Sequence, residues 1–288
     1  MKFSHKLQES LQRSQSLLCV GLDPDPGLIP FTETPSGPTT GEEANRVFEF
    51  CKTIIDETSP KVAAFKINTA FFEALGAPGW EVLHKLSTTV PKESILILDA
   101  KRGDIGNTSA KYAEALLNQV GCDAVTLNPL MGLETFHPFS GSEEIGIYAL
   151  ALTSNPGASQ YLMRTLNDGK TLGETIAGDL KTYSEGPDCK ATIGMVVGAT
   201  QPSSAQNVLQ AYPNAPLLIP GIGAQGGDPG EWASLLATHN GLPLFNSSRG
   251  IIYAGNHDPQ HWIDHVLQAI EATNLALKLV FESCRRLL

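Results

Sequence analysis

The sequence contains no long apolar run. Every hydrophobic stretch in its 288 residues is short and is soon interrupted by glycine, proline or a charged residue, whereas a membrane-spanning helix needs about 20 apolar residues in succession. The first residues, MKFSHKLQESLQRSQS, are polar and contain no hydrophobic segment of the kind found in secretory signals. We therefore expect neither a membrane partner nor a secretory signal.

Paired cysteines are also missing. The five cysteines, Cys19, Cys51, Cys122, Cys189 and Cys284, are scattered and form no CxxC motif, which disfavours both a disulfide framework and a thiolate zinc site. We expect a reducing, cytoplasmic setting. The formal net charge of −10 disfavours nonspecific binding to nucleic acid or anionic lipid. An anionic ligand would have to be bound locally, by a few cations and backbone amides.

Several common site motifs are absent or weak. The chain has no GKS/T phosphate loop and no GxSxG elbow. GIGAQG matches the dinucleotide pattern GxGxxG, but no acidic strand end follows about 20 residues later to bind a ribose. His257, His261 and His265 are spaced like metal ligands on one helix face, yet they follow the last candidate strand, so we interpret them as part of a solvated terminal helix. No metal site is predicted.

What the sequence does contain is a series of short apolar runs that end in glycine, asparagine, aspartate or proline. Eight of these runs are candidate strands: SLLCVGLD, VAAFKIN, ILILDAK, AVTLNPL, GIYALALTS, TIGMVVGAT, PLLIPGIG and LPLFNSSRG. Most are separated by segments with helical spacing, such as NTSAKYAEALLNQVG, in which we predict Thr108 as the N-cap and Gly121 as the C-cap. This alternation predicts parallel strands joined by helical crossovers.

Eight such units predict an α/β fold of one domain over residues 1–288, a (β/α)8 or TIM barrel, whose usual size is about 250 residues. A doubly wound sheet is the alternative, but it normally uses fewer strands. Two segments do not fit the repeat: a long loop at 24–41, rich in proline and glycine, and an extended helical connection at about 163–190. In a TIM barrel the active site lies at the carboxyl ends of the strands.

The third candidate strand ends in an unusual group of charges. In ILILDAKRGDIGNT, Asp99 is followed by Lys101 and Asp104, and residues two apart on an extended strand face the same side. Lys66, near the end of the preceding strand, can reach Asp99 from the side. We predict an alternating array of these four charges at the mouth of the barrel. An ion-pair network that only closes the barrel is the alternative, although burying it would cost several kcal/mol that apolar residues would avoid.

Glycine-rich segments follow the last two candidate strands, as PGIGAQGGD and NSSRG. Their backbone amides can approach an anion closely, and Arg249 can add a fork of donors. The loops after strands 7 and 8 are the usual phosphate site of a TIM barrel. We therefore predict a phosphate site on the same side as the charged strand end, with plain turns as the alternative interpretation of the glycines.

DAKRGDIGNT, with its DxKxxDI core, resembles the signature of the orotidine 5′-phosphate decarboxylase family, which catalyses the last step of UMP biosynthesis. The similarity extends along the chain through LCVGLDPD, FKINTAFFE, NPLMG, LTSNPGA, PGIGAQGGD and SSRG. The long loop after strand 1 and the segment NPLMGLETFHPF resemble the longer bacterial subgroup of the family, type 2.

The resemblance implies a role for each matching position. Lys101 would donate a proton to C6 of the pyrimidine, and Asp99 and Lys66 would hold it in place. Asp104, as a further catalytic residue, would reach into the neighbouring subunit's site together with Ile105 and Thr108. The remaining implied contacts are with the substrate: Asp23 with the ribose, Ser154 with the pyrimidine, Gln225 with base and phosphate, and Gly223, Arg249 and Gly250 with the phosphate. Asn128 is a further substrate-binding residue, with no part of the substrate assigned to it.

The activity implied is decarboxylation of orotidine 5′-phosphate to UMP and CO2, without metal or cofactor, in a cytoplasmic homodimer that shares its active sites across the interface. One alternative is a Mg²⁺-dependent sister barrel acting on a sugar phosphate, such as a keto-gulonate phosphate decarboxylase or a hexulose phosphate synthase. Those enzymes resemble one another in having a metal-binding glutamate on the second strand, where this chain has Lys66. The other alternative is a non-catalytic nucleotide-phosphate-binding barrel, which would be expected to lack Lys101 or one of the aspartates.

Overall fold

The computed structural model describes residues 1–30, 40–200, 202–222 and 227–288. Within these ranges, eight parallel strands form a closed barrel in sequence order, with the last strand paired to the first. The strands are β1 Leu18–Leu22, β2 Ala64–Asn68, β3 Ile95–Arg102, β4 Ala124–Leu127, β5 Gly146–Leu152, β6 Thr192–Val197, β7 Leu217–Pro220 and β8 Pro243–Ser247. Seven lie within a predicted apolar run and β3 extends one residue beyond its run, to Arg102. The predicted (β/α)8 barrel is confirmed.

Helices connect the strands and surround the barrel. The α-helices are α1 Phe3–Ser14, α2 Thr40–Thr58, α3 Thr69–Glu73, α4 Ala77–Thr89, α5 Gly106–Ala113, α6 Leu172–Ser184, α7 Pro202–Ala211, α8 Pro229–Leu236, α9 Arg249–Ile252, α10 Trp262–Ala276 and α11 Lys278–Cys284. Shorter 3-10 helices cover Pro26–Leu28, Ser59–Lys61, Pro129–Met131, Leu133–Phe139, Pro156–Gln160 and Arg285–Leu287, and Glu114–Val120 is π-helical. None of the helices described is both long and apolar enough to cross a bilayer.

The strands are apolar over most of their length because both of their faces are buried. Every residue of β1 and β4 is buried, as are the first six residues of β3. A parallel barrel sheet packs its outer face on helices and its inner face on itself, so its strands need near-continuous apolar runs instead of alternation. Polar side chains therefore enter the barrel mainly where the strands end.

The amino-terminal end of the barrel is covered by α1. Phe3 packs edge-to-face on Tyr148 of β5, with ring centroids 6.2 Å apart, and Leu7 and Leu11 are completely buried. The Ser10 hydroxyl donates to the carbonyl of Ala63, immediately before β2, at 2.6 Å. Because α1 occupies this end, the opposite end, where the strands terminate, is the open one.

Three local predictions had different outcomes. Thr108 is not an N-cap, because α5 begins two residues earlier at Gly106 with Ile105 in the cap position. Gly121 does end its helical segment, with φ of +83°. The connection predicted as helical over 163–190 contains a shorter helix, α6, preceded by turns and an isolated bridge between Thr165 and Thr171. In the predicted loop at 24–41, residues 31–39 lie outside the described ranges.

Candidate active site

The carboxyl ends of the strands surround a cavity of about 390 Å³, which is within the usual range for small-molecule sites. Its lining is chemically divided. Charged residues come from the ends of β1, β2 and β3, apolar residues from β5 to β7, and small polar residues from the segments after β5 and β8. The lining residues used below are Asp23, Lys66, Asp99, Lys101, Thr126, Leu150, Ser154, Val196, Leu218, Gly221, Asn246, Ser248, Arg249 and Gly250.

Four charges of alternating sign form a chain across one side of this cavity. Lys66 Nζ donates to Asp99 Oδ2 at 2.9 Å, and Lys101 Nζ donates to Asp99 Oδ1 at 2.6 Å. Asp23 Oδ1 lies 3.7 Å from Lys66 Nζ and extends the array on the other side. The predicted contact of Asp99 with both lysines is thus present, but within one chain the fourth member is Asp23 and not Asp104.

Burial and pairing together set the protonation of the central pair. Burial by itself would lower the pKa of Lys66, but the carboxylates of Asp99 and Asp23 outweigh it and raise that pKa above its usual value. Burial would likewise raise the pKa of Asp99, but the two ammonium groups lower it well below its usual range. Lys66 and Asp99 are therefore both ionised at neutral pH. Lys101, whose side chain is 47% exposed, is the member of the array open to the cavity.

The backbone of Lys101 is not that of a regular strand. Its φ is +48°, in the left-handed region that non-glycine residues rarely occupy, and the pairing of β3 with β4 shifts register between Leu98 and Arg102. Lys101 and Asp99 line the same cavity, as expected, but the backbone at Lys101 has a left-handed turn instead of the regular pleating that the prediction assumed.

Thr126 of β4 supports this turn and was not predicted from the sequence. Its hydroxyl accepts the backbone N–H of Lys101 at 3.0 Å and donates to Asp99 Oδ1 at 2.9 Å. A single hydroxyl thus fixes both the bent backbone and the carboxylate beside it. The signal available in the sequence was one hydroxyl residue within the otherwise apolar run AVTL.

The predicted phosphate end lies across the cavity from the array. Arg249 and Gly250 line the cavity at the start of α9, directly after β8, and Arg249 makes no ion pair with any residue in the described ranges. Gly221 lines the cavity at the end of β7. Gly223 and Gln225, the other residues predicted for this end, lie outside the described residues.

Gly21 of β1 leaves the space that this corner of the cavity requires. A Cβ atom at this position would lie 1.8 Å from Ser248 Oγ and 3.2 Å from Asn246 Oδ1. Asn246 was not predicted as a site residue. Its carboxamide nitrogen donates to Ser248 Oγ at 3.4 Å, while its buried Oδ1 has no hydrogen-bond partner among the described residues. The cavity therefore contains an unoccupied acceptor next to the predicted phosphate end.

The remaining wall is suited to a flat ring. Leu150, Val196 and Leu218 supply apolar surface, and Ser154 lines the cavity beside them. The Ser154 carbonyl is already held, because it accepts the hydroxyl of Thr200 at 3.0 Å. Ser154 therefore lines the cavity on a backbone that Thr200 holds, and its contact with a base stays a prediction.

Four predicted residues do not line the cavity of their own chain: Asp104, Ile105, Thr108 and Asn128. Asp104 accepts the N–H of Ile105 at 2.8 Å, and Thr108 is exposed on α5. Asn128 caps the 3-10 helix Pro129–Met131 by accepting the N–H of Leu130 at 3.0 Å. Its side chain therefore has a local structural role.

No cluster of three or more histidine, cysteine, aspartate or glutamate residues able to hold a metal occurs in the part of the chain that is described. Of the three spaced histidines, His265 lies on α10 and His261 immediately precedes it, both with a ring nitrogen near the carboxylate of Asp258 at 3.1–3.5 Å. All five cysteines are free thiols. Burial raises the pKa of Cys19, the thiol nearest the array, to about 12, even though Lys66 lowers it.

Comparison with known proteins places this geometry in a family. Residues 16–261 match the model of the orotidine 5′-phosphate decarboxylase / HUMPS family. The chain is similar to the orotidine 5′-phosphate decarboxylase of Dehalococcoides mccartyi strain CBDB1, with 43% identity over 258 residues that cover 88% of this chain and 90% of that protein.

Solved structures agree in fold over nearly the whole chain. A crystal structure of a putative orotidine-monophosphate-decarboxylase from Toxoplasma gondii has a TM-score of 0.84 at 30% identity, covering 99% of this chain and 98% of that one. The OMP decarboxylase of Leishmania donovani has a TM-score of 0.77 at 30% identity, covering 98% and 99% of the two chains.

Proposed function

This chain belongs to the orotidine 5′-phosphate decarboxylase / HUMPS family, and we propose that it converts orotidine 5′-phosphate to UMP and CO2 in pyrimidine biosynthesis. The observation that carries the proposal is the array Asp23, Lys66, Asp99 and Lys101, which faces a phosphate-type end across one cavity. A sugar-phosphate enzyme with a metal-binding glutamate on β2 fits less well, because Lys66 occupies that strand and is bound to Asp99.

In this proposal the cavity would hold the three parts of the nucleotide in order. The phosphate would bind at Arg249 and Gly250, which line the cavity and can donate to it from the guanidinium and from backbone N–H groups. The ribose would lie against Asp23 and Lys66. The pyrimidine would pack on the apolar wall with its polar edge toward Ser154. Apart from N3–H, the hydrogen-bond donors of the substrate are ribose hydroxyls, so the unpartnered Asn246 Oδ1 would accept one of these.

The reaction breaks the bond between C6 and the carboxylate carbon and leaves the electron pair on C6. That pair lies in the ring plane, where the pyrimidine π system cannot delocalise it. An ammonium held close to C6 stabilises the developing charge and then transfers one proton to it, which yields UMP and a neutral amine that solvent reprotonates. We assign this role to Lys101, because Asp99 fixes it at 2.6 Å and its side chain is open to the cavity.

Asp99 and Lys66 act on the reaction by holding Lys101. Enzymes lower barriers by roughly 8 to 23 kcal/mol, much of it through charges fixed before the reaction begins. Asp99 is bound from both sides by lysines and also accepts the Thr126 hydroxyl, so it cannot rotate away as charge develops at C6. The remote phosphate would supply binding energy that holds the base against this array.

We propose that the active unit is a homodimer in which Asp104, Ile105 and Thr108 complete the partner's site. These residues follow Lys101 directly but lie outside the cavity of their own chain. An apolar surface borders them: Ile105 is 58% exposed, and Leu130 and Met131, on the adjoining turn, are 60% and 49% exposed. Apolar side chains grouped in this way are typical of a protein interface. The five free thiols and the family's metabolic role support a cytoplasmic setting.

The activity is tested by incubating the purified protein with orotidine 5′-phosphate and EDTA while the pyrimidine absorbance is followed. We expect turnover that EDTA does not reduce, and formation of UMP. No turnover, or turnover that requires an added divalent metal, would contradict the proposal.

The Lys101→Ala variant is expected to lose decarboxylation while it still binds UMP. Near-normal activity in this variant would contradict the role of Lys101.

The shared site is tested by mixing two inactive variants, Lys101→Ala and Asp104→Ala. In a hybrid dimer one site contains both substitutions and the other contains neither. Random mixing makes half of the dimers hybrid, so we expect activity to return to about one quarter of the wild-type value. Inactive hybrids, isolated with two different affinity tags, would refute the assignment of Asp104 to the partner's site.

A further inference from the structure

The residue after Lys101 is held by side chains from two other elements. Arg102 donates to the carboxylate of Glu73, the last residue of α3, and its guanidinium lies over the ring of Tyr112 on α5, 5.0 Å from the ring centroid. The side chains of this ion pair are only 23% and 33% exposed. A guanidinium held by a carboxylate and an aromatic face has little freedom to turn.

These three side chains lie next to the left-handed turn at Lys101. A non-glycine residue at positive φ is strained and persists only when its surroundings fix it. On one side of Lys101, Thr126 accepts its N–H at 3.0 Å. On the other side, the carbonyl of Arg102 accepts the N–H of Asn128 at 2.7 Å, and its side chain is bound to Glu73. The left-handed turn is thus fixed from both ends.

We propose that Arg102, Glu73 and Tyr112 form a clamp that positions Lys101 for proton transfer. None of the three side chains of the clamp lines the cavity of its own chain. It connects the segments that follow β2 and β3, which carry Lys66 and Lys101. Without it, the peptide at Lys101 relaxes toward an extended conformation, and its ammonium leaves the position beside Asp99.

This inference rests on the proposed function and predicts a specific kinetic result. Ground-state binding depends on the phosphate and ribose contacts, which the clamp does not make, whereas the rate depends on where the ammonium lies. A misplacement of about 1 Å can reduce a rate by about 100-fold. We therefore expect Glu73→Leu to lower kcat by about 10- to 100-fold while KM for orotidine 5′-phosphate and Kd for UMP stay within about threefold of wild type.

Two further variants separate positioning from structural damage. Glu73→Gln retains an acceptor for the guanidinium and is expected to recover most of the lost kcat. Glu282→Gln is the matched control, because it alters an exposed pair with Arg285, 3.1 Å apart on the last helical turns, and should leave kcat unchanged. Should Glu73→Leu fail to fold, Tyr112→Leu removes the other side of the clamp and is expected to give the same loss of kcat with unchanged UMP binding.

The outcomes are distinguishable from those of the proposed function. If the wild-type protein does not turn over orotidine 5′-phosphate, the proposed function fails. If the wild type is active and the Glu73→Leu and Tyr112→Leu variants keep its kcat, the clamp is refuted. The clamp is also refuted if UMP affinity falls as much as kcat, because the three side chains would then support the site as a whole.

Discussion

The substitution Asp99→Asn tests how strongly the members of the charged array depend on one another. The Asp99 carboxylate binds both lysines and accepts the Thr126 hydroxyl, and its side chain is only 10% exposed. An amide at this position cannot balance the charge of Lys66, whose side chain is 5% exposed and whose other carboxylate, Asp23, is 3.7 Å away. The variant therefore leaves a buried ammonium without its main partner.

The expected cost is large compared with the stability of a typical domain. Removing one partner of a buried ion pair destabilises a protein by about 3–5 kcal/mol, because the remaining charge stays desolvated. Proteins of ordinary stability unfold with about 5–15 kcal/mol. We therefore expect Asp99→Asn to lose a large fraction of the free energy of unfolding, in addition to its activity.

Urea unfolding at neutral pH, followed by circular dichroism, measures this loss. Asp56→Asn is the matched control, since Asp56 pairs with Lys52 on the exposed face of α2, and such pairs contribute little. The double variant Lys66→Met and Asp99→Leu removes both charges of the buried pair, so it should recover much of the stability that Asp99→Asn loses, although it should be inactive. A loss of less than about 1 kcal/mol for Asp99→Asn would refute the reasoning, because the pair would then be no more coupled than a surface pair.

Three further results are expected. The pKa of Asp99 is lower in the folded protein than its ordinary value of 3.8, so the stability that its ionised form contributes is present above pH 3.8 and is lost as the pH falls below that value. The difference in unfolding free energy between wild type and Asp99→Asn should therefore narrow in urea titrations below about pH 4. Gly21→Ala should displace Ser248 and weaken UMP binding more than uridine binding in calorimetry. Thr126→Val should lower kcat, measured at saturating substrate, since the Lys101 N–H loses its acceptor; an unchanged kcat would contradict that role.

The sequence was sufficient to predict the barrel and the centre of the site. A parallel barrel buries both faces of its sheet, so each strand appears in the sequence as a nearly continuous apolar run. These runs can be recognised without knowledge of tertiary contacts, and all eight contain a strand. Asp99 and Lys66 were predicted to meet because neighbouring parallel strands end at the same edge, and they do so at 2.9 Å. Lys101 was also predicted correctly to lie beside Asp99, but the prediction assumed a regularly pleated strand, whereas the structure has a left-handed turn at Lys101.

What could not be predicted depends on contacts between distant segments. The left-handed turn at Lys101 could not be recognised in the sequence, because no glycine marks it. It is imposed by contacts with Thr126 and by the clamp on Arg102. The helix α5 begins at Gly106, two residues before Thr108, so the local capping rule that favoured Thr108 did not apply. Asn246 was missed because one polar residue in a buried run is indistinguishable, in sequence, from a satisfied core amide.

The helix α1 closes the amino-terminal end of the barrel, while the cavity opens at the end where the strands terminate. Phe3 and Leu7 seal the end opposite the cavity, and the interior between the two ends is filled by side chains, as in barrels of this type. A core packed in this way separates the cavity from the amino-terminal end. Orotidine 5′-phosphate, UMP and CO2 would therefore use the same opening at the strand ends, so the products would have to leave through it before the next substrate could enter. Substrate entry and product release through that opening would then limit the turnover rate once the chemical step is fast.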